Sequence, residues 1–281
     1  MSTSVTGSDA DLALDKTKAA HRAMWALGDY PALAEKLVSG LGSTLVTACG
    51  VAAGDRVLDV AAGAGNAALP AARLGAHVIA SDLTPELLAA GRRRAEQEGV
   101  DLEWRQADAE ALPFEDDSFD VVFSCLGVMF APHHQICADE LIRVCRPGGT
   151  FGVISWTREG FIGEMFAAMR AYSPPPSPGA QSPLLWGDER HLRELWGDGV
   201  EAFAARRETV RVRSYAHPED FRDDFKLHYG PTVAAYQRLA GDPQKTARLD
   251  ADLAKLARDH GLGVDTTVMD WEFLLATGRK R

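Results

Sequence analysis

The densest run of chemically suggestive residues is Val57-Leu58-Asp59-Val60-Ala61-Ala62-Gly63-Ala64-Gly65-Asn66-Ala67-Ala68. It starts as an apolar strand, passes through small residues and opens a helix. Gly63 permits a tight turn, and Gly65 is expected to let a ligand approach the backbone. A second acid, Asp82, closes the next apolar run, 23 positions after Asp59. At that place in a parallel sheet a carboxylate faces a ribose and accepts from both hydroxyls. Gly63-Ala64-Gly65-Asn66-Ala67-Ala68 also fits a dinucleotide site, in which the helix N-terminus holds a pyrophosphate, and it fits a glycine turn needed only for packing. Asp59 separates the first two alternatives: on the strand before the turn, its charge opposes a pyrophosphate and suits an ammonium.

A second constellation is Met129-Phe130-Ala131-Pro132-His133-His134, directly after an apolar strand-like run. In an open α/β sheet such a loop faces the ligand crevice. Histidine changes charge near neutral pH, so His133 and His134 are the expected general bases for a bound hydroxyl. The alternative is that one or both simply begin the next helix. His191, His217 and His228 lie in less regular sequence and are weaker choices. Thr157 to Gly187 holds Phe161, Phe166, Tyr172 and Trp186, which reads either as an apolar acceptor pocket with a lid or as a satellite core.

The elements that must position these residues follow from periodicity. Residues 1–15 read as a disordered tail and 16–50 as a helical cap, with Met24, Leu27, Leu33, Leu37, Leu41 and Leu45 at helical spacing and Pro31 dividing two or three helices. From residue 51 to 156, strands at 56–61, 77–81, 102–106, 119–124 and 150–155 alternate with helices at 66–74, 85–99 and 134–145. Thr84 is the expected N-cap of the second of these helices and Pro85 its first residue. This alternation predicts a parallel α/β sheet with helices on both faces. Residues 157–281 break the rhythm. Pro174-Pro175-Pro176-Ser177-Pro178-Gly179 predicts a stiff loop, 188–197 and 218–260 helices, and 208–215 and 267–277 two more strands. The helical pieces would form an acceptor-binding lid over the carboxyl edge of the sheet.

Bulk properties narrow the class. The chain has 281 residues, 46% of them hydrophobic, enough for a large buried core. No window approaches a membrane-spanning length, and the polar, acidic start lacks a secretory pattern. Cys49, Cys125, Cys137 and Cys145 form no CxxC pair, so buried free thiols and a cytoplasmic location are expected. The net charge of −10 disfavours nucleic acid as a partner. The cluster Arg92-Arg93-Arg94, with Glu86, Glu96 and Glu98 nearby, reads as a solvated helix face.

Five blocks in order, Asp59 to Asn66, Val78 to Asp82, Asp108 to Phe114, Phe119 to Phe130 and Leu141 to Trp156, resemble class I S-adenosylmethionine-dependent methyltransferases. The resemblance is to the branch that includes ubiquinone and menaquinone methyltransferases and natural-product methyltransferases. It implies a Rossmann-like, doubly wound, mainly parallel seven-stranded sheet with an antiparallel edge strand, N-terminal helices and a helical lid. The implied cofactor is S-adenosylmethionine, leaving S-adenosylhomocysteine, with no metal. By this resemblance Ala61, Gly63 and their neighbours contact the methionine part, Asp82 the ribose hydroxyls and Leu83 the adenine. Asp108 accepts from the adenine amino group, the Ala109 backbone addresses the ring, and Ser124 with its neighbours lines the transfer region. Trp25 and Tyr30 are the aromatics expected to close over the cofactor, or else ordinary packing residues. Ala62 and Ala64 depart from the family's commonest turn, but both are small. The partner implied is a small-molecule acceptor bound to a monomer or homodimer, with no membrane. Two other readings remain: a protein that binds the cofactor without methylating, as a cyclase or regulator, and a nicotinamide-dependent oxidoreductase, for which no Tyr-x-x-x-Lys pair is present.

Overall fold

The computed structural model describes residues 9–262 and 267–281. Its centre is a seven-stranded sheet: β1 (Arg56–Val60), β2 (His77–Asp82), β3 (Glu103–Gln106), β4 (Phe119–Cys125), β5 (Cys145–Trp156), β6 (Val200–Val212) and β7 (Met269–Lys280). The spatial order is β3-β2-β1-β4-β5-β7-β6. β1 to β5 pair in parallel, and β7 runs antiparallel to both β5 and β6. The antiparallel strand therefore stands one place in from the edge, because β6 pairs outside it. β1 and β4 are buried along nearly their whole length, as strands covered on both faces must be. Chain direction across the sheet reverses between β1 and β4, and at such a switch point the following loops part into a crevice.

The helices follow from their apolar spacing. The N-terminal cap is α1 (Asp9–Trp25) and α2 (Tyr30–Ala48), so α1 begins inside the segment expected to be disordered; residues 1–8 lie outside the described residues. Asp29 caps α2 by accepting from Ala32 N at 3.2 Å, and Pro31 fits the first turn, where no intrahelical N–H is needed. Leu33, Leu37, Leu41 and Leu45 are buried on one face, and α2 kinks at Val38. Next come α3 (Ala68–Arg73), α4 (Pro85–Glu98) and α5 (His134–Val144). Thr84 occupies the N-cap position of α4 without a side-chain bond to the helix, and Gly99 ends it in the left-handed conformation. α4 packs on β2 and β3, while α2 and α5 pack on β4 and β5.

Beyond β5 come α6 (Phe161–Met169), α7 (Glu189–Trp196), α8 (Pro218–His228), α9 (Gly230–Arg238) and α10 (Pro243–Asp259). α8 packs on α9 and α10, α6 on α10 and β7, and α9 on α1. The prolines 174–179 form an irregular loop, as their fixed φ demands. All four cysteines are free. Among the described residues no helix is long and apolar enough to cross a membrane.

Candidate functional site

One cavity of about 1010 Å³, its mouth included, opens where the carboxyl ends of β1, β2, β3 and β4 meet the N-terminal cap. Its floor carries Ala61 to Ala64 after β1, Asp82 to Thr84 after β2, Ala107 to Ala109 after β3 and Cys125 to Val128 after β4. Its roof carries Lys18, His21, Arg22 and Trp25, four residues on one face of α1, together with Tyr30.

The turn after β1 is held open by unusual backbone. Ala61 (φ 54°) and Gly63 (φ 56°) are both left-handed, and so is Leu126 (φ 62°) after β4. Two non-glycine residues in this region cost about 1 kcal/mol each or more, and such conformations concentrate at ligand sites. Asp82 fixes the turn from the side: its Oδ2 accepts from Gly63 N and its Oδ1 from Thr84 N, each at 2.8 Å. Burial pushes the Asp82 pKa up, opposed by the N–H groups of Thr84 and Gly63. Asp82 also lines the cavity.

Three of the expected ligand contacts stand behind this surface. Asp59 is 1% exposed and lies outside the cavity lining. Its Oδ2 accepts from Ala68 N at 2.8 Å, at the start of α3, while its Oδ1 has no partner among the described residues. Desolvation raises its pKa well above the usual carboxylate value. Gly65 is outside the cavity lining; a Cβ there would come within 2.7 Å of the Trp104 ring, so the glycine makes room for packing. Ser124 is fully buried, donates to Val60 O at 2.6 Å and accepts from Val128 N at 2.9 Å, tying the ends of β1 and β4 together.

Asp108, Leu83, Ala109, Trp25 and Tyr30 do line the cavity. Asp108 accepts from Glu110 N at 2.9 Å and pairs with Lys18, which also reaches Glu110 at 2.9 Å. Burial alone would lower the Lys18 pKa, but its bonds to Asp108 and Glu110 outweigh that and raise it. This network clamps α1 over the loop after β3.

The two histidines read as bases turn away from the cavity. His133 is held by Glu110, which accepts from His133 N at 2.7 Å and faces its Nδ1 at 3.2 Å. His134 is fully buried, its Nδ1 lies 2.9 Å from His191 Nε2, and its own Nε2 has no partner. Desolvation, with His191 and His133 nearby, lowers its pKa to about 4. The cavity has a histidine that residue spacing did not single out, His21, whose pKa is lowered by burial. The legible signal was Lys18, His21, Arg22 and Trp25 at i, i+3, i+4 and i+7, one helix face. The aromatic segment 157–187 is also not the cavity wall: Trp186 packs against His134 and Phe161 stacks on Trp271.

His134 gives a pH prediction. The fold holds it neutral, whereas the unfolded chain protonates it below about pH 6.5. Its contribution is complete above that value and is lost as pH falls toward about 4. Lowering the pH from 6.5 to 5.5 is expected to remove about 1 kcal/mol through this residue. Urea unfolding of the native protein and His134→Gln at both pH values checks it; equal slopes in the two proteins would contradict the assignment.

Comparison with known proteins agrees with this geometry. Residues 58–153 match a methyltransferase domain family. Uncharacterized protein Rv1405c of Mycobacterium tuberculosis is 51% identical over 268 residues, covering 95% of this chain and 97% of that one. A demethylmenaquinone methyltransferase of Clavibacter sepedonicus is 44% identical over 97 residues, 34% of this chain and 39% of its own. The crystal structure of YcgJ from Bacillus subtilis superimposes with a TM-score of 0.58 at 19% identity, over 85% of this chain and 97% of that one, a likeness of fold. Residues 58–153 thus carry a methyltransferase domain on the strand order β3-β2-β1-β4-β5-β7-β6, and over nearly its full length the chain belongs to one family with the uncharacterized protein Rv1405c.

Proposed function

We propose that the chain binds S-adenosylmethionine across the carboxyl ends of β1 to β4 and methylates an O, N or C atom of a small molecule. The observation that carries this reading is the convergence of four strand ends on one cavity with the buried carboxylate of Asp82 in its wall. The donor set fits this cofactor. Asp82 offers a carboxylate to a ribose, and Leu83, Asp108 and Ala109 lie on the same side for an adenine. The same set opposes a dinucleotide, because the Asp59 carboxylate already takes the Ala68 N–H at the start of α3. A pyrophosphate at that helix end would meet a buried acid instead of a free donor.

When bound, the sulfonium would supply an electrophilic methyl group for in-line transfer to the acceptor atom, with a thioether as the leaving group. The protein's part is alignment and exclusion of water. Asp82 and Asp108 hold the nucleoside, and backbone groups around Ala61 and Gly63 hold the methionine part. Asp59, Gly65 and Ser124 act through the scaffold: one caps α3, one admits Trp104, one joins β1 to β4. Trp25 and Tyr30 cover the site from the cap.

S-adenosylhomocysteine at about 100 times its Kd should add close to 3 kcal/mol of stability, a rise in Tm of roughly 5 °C or more. NAD at the same concentration should leave Tm unchanged. Stabilisation by NAD alone would overturn the reading.

A further inference from the structure

Beside the cofactor cavity lies a second apolar chamber, about 400 Å³ with its open mouth included. Leu33, Leu37 and Val38 of α2, Ile162 of α6, and Phe225 and Tyr229 at the end of α8 form its far walls, with Trp156 and Trp271 from the sheet. It shares Trp25, Tyr30, Ala34, Leu126 and Phe130 with the cofactor cavity, so the two spaces are separated by one layer of side chains. The centre of that layer is the Trp25 indole, with ring centroids 5.2 Å from Tyr30, 4.7 Å from Phe130 and 5.7 Å from Tyr229.

The chemistry of the chamber is one-sided. Among the described residues no Asp, Glu, Lys, Arg or His lines it. A charged ligand would lose its hydration with no countercharge, at a cost of several kcal/mol. Yet three buried or half-buried polar groups on its walls are unspent. Tyr229 is 5% exposed, and neither its hydroxyl nor that of Tyr30 has a hydrogen-bond partner among the described residues. The Trp271 indole N–H is buried and also unpartnered. The Trp271 N–H is the one sealed from solvent, and the two hydroxyls stand open to the chamber as donors. Burial raises the pKa of both phenols, which keeps them protonated and able to donate.

We propose that this chamber is the acceptor site and that it takes an uncharged, flat, largely apolar molecule carrying an oxygen atom, addressed by Tyr30, Tyr229 and Trp271. Aromatic walls stack on a flat body. The assignment rests on the methyltransferase reading, since it needs the cofactor next door. It also moves the acceptor away from the aromatic segment 157–187, of which only Ile162 reaches the chamber.

The test titrates 2-naphthol, with 2-naphthoate as its charged counterpart, into the full chain by calorimetry, and S-adenosylhomocysteine in parallel. The expected result is saturable 2-naphthol binding at least about 10-fold tighter than that of 2-naphthoate. Leu37→Trp and Ile162→Trp fill the chamber from different walls; each should weaken 2-naphthol at least about 10-fold and leave S-adenosylhomocysteine within about twofold. Tyr229→Phe should weaken it about 3- to 10-fold. No saturable binding, equal binding of 2-naphthoate, or full affinity in both filled variants would overturn the acceptor assignment while cofactor binding stands. Absence of S-adenosylhomocysteine binding to the native chain would instead overturn the reading beneath it.

Discussion

Replacing Asp82 by alanine should weaken S-adenosylhomocysteine binding by about 100-fold or more, since two hydrogen bonds to a charged acceptor are worth roughly 1.5–3 kcal/mol each. The carboxylate is 7% exposed and its two oxygens already hold Gly63 N and Thr84 N, so its position does not depend on the ligand. Ribose hydroxyls would meet a preorganised group, and little ordering entropy would be spent. Alanine also orphans the two N–H groups, which loosens the turn carrying Gly63. Removing a carboxylate that burial opposes offsets part of that loss, so the variant should fold with a modestly lower Tm. Asp82→Asn separates the contributions: it keeps the side-chain volume and one acceptor oxygen, and should cost about 10-fold in affinity. Calorimetric titration of the three proteins measures this. Native affinity in Asp82→Ala would remove the ribose assignment.

Gly127→Ala should lower stability and cofactor affinity together. A Cβ at Gly127 would stand 2.1 Å from Ala61 O, 2.7 Å from Ala61 Cβ and 3.0 Å from Ala61 C. These are mostly backbone atoms of a residue already held in the left-handed region, so neither side can yield by rotating a side chain. The ends of β1 and β4 must separate, against the Ser124 bridge that joins them. Overpacking of this kind costs about 1–3 kcal/mol, or roughly 3–10 °C in Tm for a chain of this size. Because Ala61 and Gly127 both line the cavity, the affinity for S-adenosylhomocysteine should fall at least about 10-fold as well. Gly40→Ala is the control: it lies on the exposed face of α2 with nothing within 4 Å of the added Cβ. Helix propensity alone should raise its stability by about 0.5–1 kcal/mol. Thermal melts and titrations of both variants suffice, and an unchanged Tm in Gly127→Ala would contradict the close approach.

Strands and helices from residue 55 to 156 were legible because buried parallel strands are short apolar runs and the helices between them carry starts and stops. The later part was harder to read for physical reasons. β6 begins at Val200, eight residues before the expected start at Glu208, because an outer strand exposes one edge and tolerates the polar, alanine-rich stretch 201–207. α6 is nine residues long and apolar except for Glu164, too short a run for its period to distinguish a helix from a buried strand. β5 includes Pro147-Gly148-Gly149 through a bulge, between the pairs Phe119–Cys145 and Val121–Thr150.

The amino-acid sequence by itself determined the order of strands and helices, the left-handed glycine turn and the carboxylates Asp82 and Asp108 at strand ends, since each depends on neighbours within a few positions. Only the tertiary structure decided which side chains face the cavity. Asp59 went behind the turn because the first N–H of α3 sits there, Gly65 yielded its space to Trp104, and His133 and His134 were drawn away by Glu110 and His191. Each of these outcomes was set by a partner between 9 and 57 positions away, brought close by packing, and no local spacing encodes such a partner.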